Sequence, residues 1–224
     1  EIYTLSLHDA LPIYQPIFDT TKNKSYSRTR VAVISYSSDV RLDSALVGYA
    51  GRQTLKSKIN SMTAGGGTFT QAGLKHARDL LKNSTAKHKS IILLSDGEPT
   101  YSYGLKQPDD FVEHYKTENW LWYTYTHYKT STAPKERDYN YATSERVGNG
   151  TRLTTEYRRT TRGSKVTVYE YDHGNSAIAE ASIVKSSGIS IYAIGLQTVD
   201  EGSRVLREIG EGSRGRLVDR KSVV

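Results

Sequence analysis

The sequence predicts a doubly wound, Rossmann-like α/β sheet broken by a β-rich insertion, and three observations carry that prediction. Short apolar runs, Val31-Ala-Val-Ile34, Ile91-Ile-Leu-Leu94 and Ile189-Ser-Ile-Tyr-Ala-Ile194, have the composition of strands covered on both faces. Amphipathic helical segments separate them. Between residues 101 and 173 that rhythm gives way to Tyr- and Thr-rich stretches of β-prone sequence.

Taken in order, residues 14–29 are polar with little periodicity, and 30–36 form the first β-branched strand. A tight connection at 37–39 leads into 39–46, whose alternation suits a hairpin partner with one buried face. Asp39 and Asp43 fall on one face of that strand and are expected to meet solvent. Residues 52–61 are helical, with Leu55 and Ile59 four apart on one side. After a glycine loop, residues 70–83 form a stronger helix with Ala72, Leu74, Ala77, Leu80 and Leu81 turned inward. The strand at 91–94 then ends in Ser95-Asp96-Gly97.

Within the insertion, 109–115 suits a helical turn, 120–128 is aromatic and β-prone, and 151–157 pairs with 166–171 around Arg162-Gly-Ser164. A structureless loop of that length inside a compact domain is improbable, so the insertion reads as a folded β arm. The alternation resumes with a helix at 175–187, closed by Gly188, whose Ala177, Ile178, Ala181 and Val184 point inward. A strand at 189–195 and a helix at 201–209 follow.

Both ends read as additions to the domain. Codons cac-gac-gct-ctt-ccg-atc encode His8-Asp-Ala-Leu-Pro-Ile13, and their reverse complement encodes Asp219-Arg-Lys-Ser-Val-Val224. One DNA segment read in both directions suggests translated adaptor DNA. Residues 1–13 and 219–224 are therefore expected to be artefacts. That leaves a partial domain at 14–218, with its core at 30–100 and 174–218 and its arm at 101–173.

Composition narrows the function. With no cysteine there is no disulfide, no thiolate metal site and no cysteine nucleophile. The net charge of +7 is scattered rather than blocked, which argues against a nucleic-acid groove. No apolar run is long enough to span a membrane. Seventeen tyrosines against three phenylalanines give a polar-aromatic surface suited to wet, adaptable contacts.

In open α/β sheets ligands sit outside the carboxyl ends of the strands. Asp96 falls at such an end, and Thr68 leaves the Gly65-Gly-Gly67 turn just before a helix. A carboxylate and a hydroxyl on neighbouring loops offer the hard oxygens that Mg²⁺ takes. Thr70 suits a helix N-cap or first-turn position, and Glu98 suits an outer position around a metal or a solvated one. Asn83-Ser-Thr85 and Asn149-Gly-Thr151 are formal glycosylation sequons. No HExxH, GxSxG or Walker-type motif is present.

At these residues the chain resembles the von Willebrand factor A-type domain with its metal-ion-dependent adhesion site. The resemblance rests on VAVISYSS, GGGTFTQAGL, IILLSDGEP and ISIYAIGL, spanning 31–96 and again about 175–209. It implies that Thr68 and Asp96 bind Mg²⁺ or Mn²⁺, and that a protein ligand, such as a host matrix protein, completes the coordination with a carboxylate. Family members also carry a DxSxS loop after a first strand that this chain lacks. Asp19-Thr-Thr21 lies too close to Val31 to serve, so the sheet is expected to lack its first strand and metal binding to be weak or absent here, though present in an intact parent.

The β arm resembles those of bacterial adhesins and pilus-tip subunits. That implies a non-catalytic protein on the cell surface, wall-anchored in a Gram-positive bacterium, with Trp120, Trp122, Tyr123 and Tyr125 lining a ligand groove. The alternatives are an intracellular assembly platform of the metal-chelatase type and a nucleotide-using α/β enzyme whose glycine loop cradles phosphate.

Overall fold

The computed structural model describes residues 19–21, 26–63, 65–95, 98–142, 145–196, 200–211 and 218–220. The chain divides into two compact units, residues 1–66 and 67–224.

In the first unit, β1 (Val31–Tyr36) and β2 (Val40–Val47) form the expected antiparallel hairpin, closing at Tyr36 opposite Val40. The helix α1 (Arg52–Asn60) buries Leu55 and Ile59 against Val31, Val33, Val47 and Tyr49. Its start lies so close to β2 that a Cβ on Gly51 would come within 2.9 Å of Val47 Cβ. The expectation for Asp43 fails. Ile34 pairs with Leu42 and Val33 with Ser44, so Asp43 is the extra residue of a bulge that breaks the alternation with Asp39. Its side chain is tucked in, 2.6 Å from Arg41 Nε, while Asp39 is exposed.

The second unit starts with α2 (Thr70–Lys82) and β3 (Ser90–Ser95). The arm follows: β4 (Tyr101–Leu105), β5 (Val112–Trp120), β6 (Tyr123–Thr130), β7 (Tyr139–Asn140), β8 (Arg146–Gly148), β9 (Thr154–Arg162) and β10 (Lys165–Asp172). The alternation returns in α3 (His173–Ser186), β11 (Ser190–Leu196), α4 (Asp200–Gly210) and β12 (Val218–Arg220). Strands β3, β11 and β12 are parallel, in the order β12-β11-β3, with Ile91 beside Ile191 and Leu93 beside Ala193. That parallel pairing and the helices between strands are the predicted α/β architecture. Residues 219 and 220, expected to lie beyond the domain, pair with Gly195 and Leu196.

The core lies where α3 and α4 meet β11: Ala177, Ile178, Ala181, Val184, Ile191, Ala193, Val205, Leu206 and Ile209 are all buried. The helix stripe read for α3 is therefore correct. Two other expectations are not. β3 is covered on one face only; Ile91 and Leu93 are buried while Ile92 is 39% exposed, as befits the outer strand of the described sheet. On α2, Ala77, Leu80 and Leu81 are only half-buried and the inward place below Leu74 belongs to Arg78, which finds a carboxylate on α3.

The arm forms two sheets, ordered β5-β6-β10-β9 and β7-β4-β8. One expectation changes here. Of residues 109–115 only the first three lie in a helical turn, at 108–111, and Val112 onward joins β5, because pairing with β6 outweighs local preference. The aromatic stretch is β-structured as expected, with Trp120 paired to Tyr123 across a reversal at Leu121 and Trp122. The predicted 162–164 hairpin is present, with Lys165 opposite Arg162.

Buried polar contacts bind the arm to the core. The His173 ring lies between Ser102 Oγ at 2.8 Å and Thr155 Oγ1 at 2.9 Å. Asn175 Nδ2 donates to the Thr130 carbonyl at 2.8 Å, and the Asp172 amide donates to Thr130 Oγ1 at 2.9 Å. From α2, Gln71 Oε1 accepts the Tyr103 amide at 2.8 Å.

Candidate functional site

At the carboxyl end of β3, Ser95 is buried, and Asp96, the carboxylate singled out from the sequence, lies outside the described residues. Thr68 is fixed from its backbone. Its amide donates to Thr100 Oγ1 at 2.7 Å, and its carbonyl accepts the Thr100 amide at 2.9 Å and the Tyr101 amide at 3.3 Å. Gly67 permits this approach, since a Cβ there would stand 2.7 Å from Thr100 Oγ1 and 2.8 Å from Gly150 Cα. The loop before α2 is thereby clamped to the chain that follows β3.

Thr70 is the first residue of α2 rather than its cap, because Phe69 takes the N-cap position without a side-chain bond. Thr70 is buried and its Oγ1 has no hydrogen-bond partner among the described residues. Burial holds the Glu98 carboxyl above the usual range, with repulsion from Glu201 and Asp172 adding to it. Asp172 itself is buried and paired to Lys129 Nζ at 3.1 Å.

Among the described residues no cluster of three His, Asp or Glu side chains is placed to hold a metal. The donors present at this edge are the hydroxyls of Thr68 and the orphaned Thr70, and hard oxygen is the chemistry a Mg²⁺ ion accepts. The side chains fit such an ion by type.

Of the four arm aromatics, Trp120 and Tyr123 are cross-strand partners at the β5–β6 tip, with exposed Trp122 in the turn between them. Half-buried Tyr125 lies two residues further along β6, its ring 6.3 Å from Tyr123 and 6.5 Å from His127. Sequence reasoning also missed that the 162–165 turn reaches the same end. β6 and β10 run parallel, Lys165 sits beside Thr124, and the Thr124 amide donates to the Ser164 carbonyl at 2.8 Å. No local signal encodes that pairing, since the strands are about forty residues apart.

The fold is that of an A-type domain, and comparison with known proteins agrees. The von Willebrand factor type A domain model matches residues 15–222, and the chain belongs to that family. Among its relatives is the minor fimbrium subunit Mfa5 of Porphyromonas gingivalis, 30% identical over 213 residues. That match takes in 80% of this chain but only 17% of the relative's length. Among solved structures, the vWF domain of the type V pili tip protein Mfa5 from the same organism superposes with a TM-score of 0.76. It is 24% identical, with 95% of this chain and 82% of that one covered. The pilus adhesin SpaC from Lactobacillus rhamnosus GG shares the fold at a TM-score of 0.63, with 19% identity, 93% of this chain and 25% of that one.

Proposed function

We propose that this chain is part of a bacterial surface adhesin of the pilus-tip kind that holds a protein ligand through a divalent cation, without catalysis. The observation that carries the reading is the relationship to the fimbrial subunit across most of the A-type domain. The clamped Thr68 loop supports it, because a fixed backbone holds the start of that side chain in one place. In this reading Thr68 and Asp96 hold Mg²⁺ or Mn²⁺ in the intact parent, Thr70 and Glu98 shape the surroundings, and the ligand contributes a carboxylate. The cation supplies a hard positive charge that a carboxylate recognises. The tip aromatics Trp120, Trp122 and Tyr123, with Tyr125 behind them, form a second contact surface.

The test is capture of immobilised fibrinogen or collagen by the intact parent with and without a chelator. Capture is expected to need Mg²⁺ or Mn²⁺ and to be lost in Thr68→Ala and Asp96→Ala. Capture that survives chelation and both substitutions refutes the metal-dependent reading.

A further inference from the structure

The end of the four-stranded arm sheet brings two unlike turns together. Trp120, Leu121, Trp122 and Tyr123 are 68%, 77%, 85% and 42% exposed, a run of four large apolar side chains on one tip. Beside it, the turn joining β9 and β10 carries exposed Arg162 and Lys165, which have no acidic partner among the described residues. Neither indole makes a ring contact among those residues. Leu121 adds a further mark, for its φ of +54° is the left-handed conformation that glycine normally takes at the first position of such a two-residue turn.

We propose that this arm end docks peripherally on an anionic lipid surface, the tip apolar residues entering the headgroup boundary and Arg162 and Lys165 facing the lipid charge. The proposal rests on reading the arm end as a contact surface and names what it contacts. Two features favour lipid over a protein. The two turns amount to eight residues, against roughly 20–30 a side in a standard protein interface. Indole and phenol rings beside cationic side chains are the groups that settle at a headgroup boundary. No helix among the described residues is long and apolar enough to cross a membrane.

The chain's two tryptophans both sit on this tip, so tryptophan emission, excited selectively over tyrosine, reports on it alone. The 224-residue chain is titrated with vesicles of phosphatidylcholine and with vesicles holding one quarter phosphatidylglycerol, each in the presence of EDTA. Emission is expected to move to the blue on the anionic vesicles and to be quenched by brominated acyl chains. R162Q/K165Q, which keeps both indoles, is expected to bind them on the order of 30-fold more weakly, about fivefold for each basic residue. L121S/W122S, checked for folding by circular dichroism, is expected to lose quenching.

An unmoved emission with anionic vesicles overturns the proposal. So does binding that survives both double substitutions, or emission already blue because a second copy covers the tip. A shift produced only by a protein ligand overturns it as well. Because EDTA is present throughout, failure here leaves the metal-dependent capture standing, and failure of that capture leaves this result intact.

Discussion

Arg78 Nη1 stands 3.3 Å from Glu180 Oε1, the two side chains closed to solvent between α2 and α3. Arg78 also reaches Glu136 in the arm at 3.0 Å, and Tyr141 OH donates to Glu180 Oε2 at 2.7 Å. One guanidinium thus joins two helices and the arm. Removing it alone leaves a buried carboxylate with less compensation, so Arg78→Ala is expected to cost about 3–5 kcal/mol. Replacing both members, as Arg78→Met with Glu180→Leu, should recover most of that loss, because no charge then remains buried. Urea denaturation of the singles and the double decides this; a double as unstable as Arg78→Ala refutes it.

Two buried groups give stability opposite pH slopes. Burial holds His173 down from 6.5 to about 4, so the unfolded chain binds the extra proton first. Its contribution is present above pH 6.5 and is lost as pH falls toward 4, on the order of 3 kcal/mol in all. Burial pushes Glu180 up from 4.5 to about 7, against the pull of Arg78 and Tyr141. Its contribution is full below pH 4.5 and is lost as pH rises through 7. Thermal midpoints measured between about pH 4 and 8 should show His173→Gln flattening the acid side and Glu180→Gln the neutral side. Parallel shifts with no change of slope would contradict both assignments.

The alternation of apolar strand and amphipathic helix made the α/β core legible, and Ala177, Ile178, Ala181 and Val184 show why. Their spacing is local and their burial follows from it. What depended on distant partners was not legible. Arg78 occupies a position that helical spacing gives to an apolar residue, because a carboxylate 102 residues away meets it. Asp43 turned inward through a bulge, which shifts the register without any signal in the alternation. At the candidate site, sequence pointed to the threonine loop but not to Thr100, whose hydroxyl holds it.

Thr100→Val tests that clamp. The substitution keeps the shape and removes the acceptor of the Thr68 amide, so a part-buried N–H loses its partner, at about 1–3 kcal/mol. Gly67→Ala should act more strongly, since its Cβ would meet Gly150 backbone at 2.8 Å. Hydrogen exchange should rise first at the Thr68 amide in Thr100→Val. Unchanged protection there would show that the Thr68 carbonyl bonds alone hold the loop.

Leu121 gives a prediction in which stability and contact part company. Its left-handed backbone costs an L-residue about 1–2 kcal/mol that glycine does not bear. Glycine at a turn position also loses more freedom on folding, which returns roughly 0.5–1 kcal/mol of that gain. Leu121→Gly is therefore expected to raise stability by about 0.5–1 kcal/mol net, since the side chain is 77% exposed and leaves little packing behind. The same change removes one of the exposed apolar groups of the tip and should weaken binding to the anionic vesicles. Denaturation and vesicle titration on the one variant read the two effects separately. A variant that is both more stable and equally bound would mean that Leu121 serves no contact at the tip.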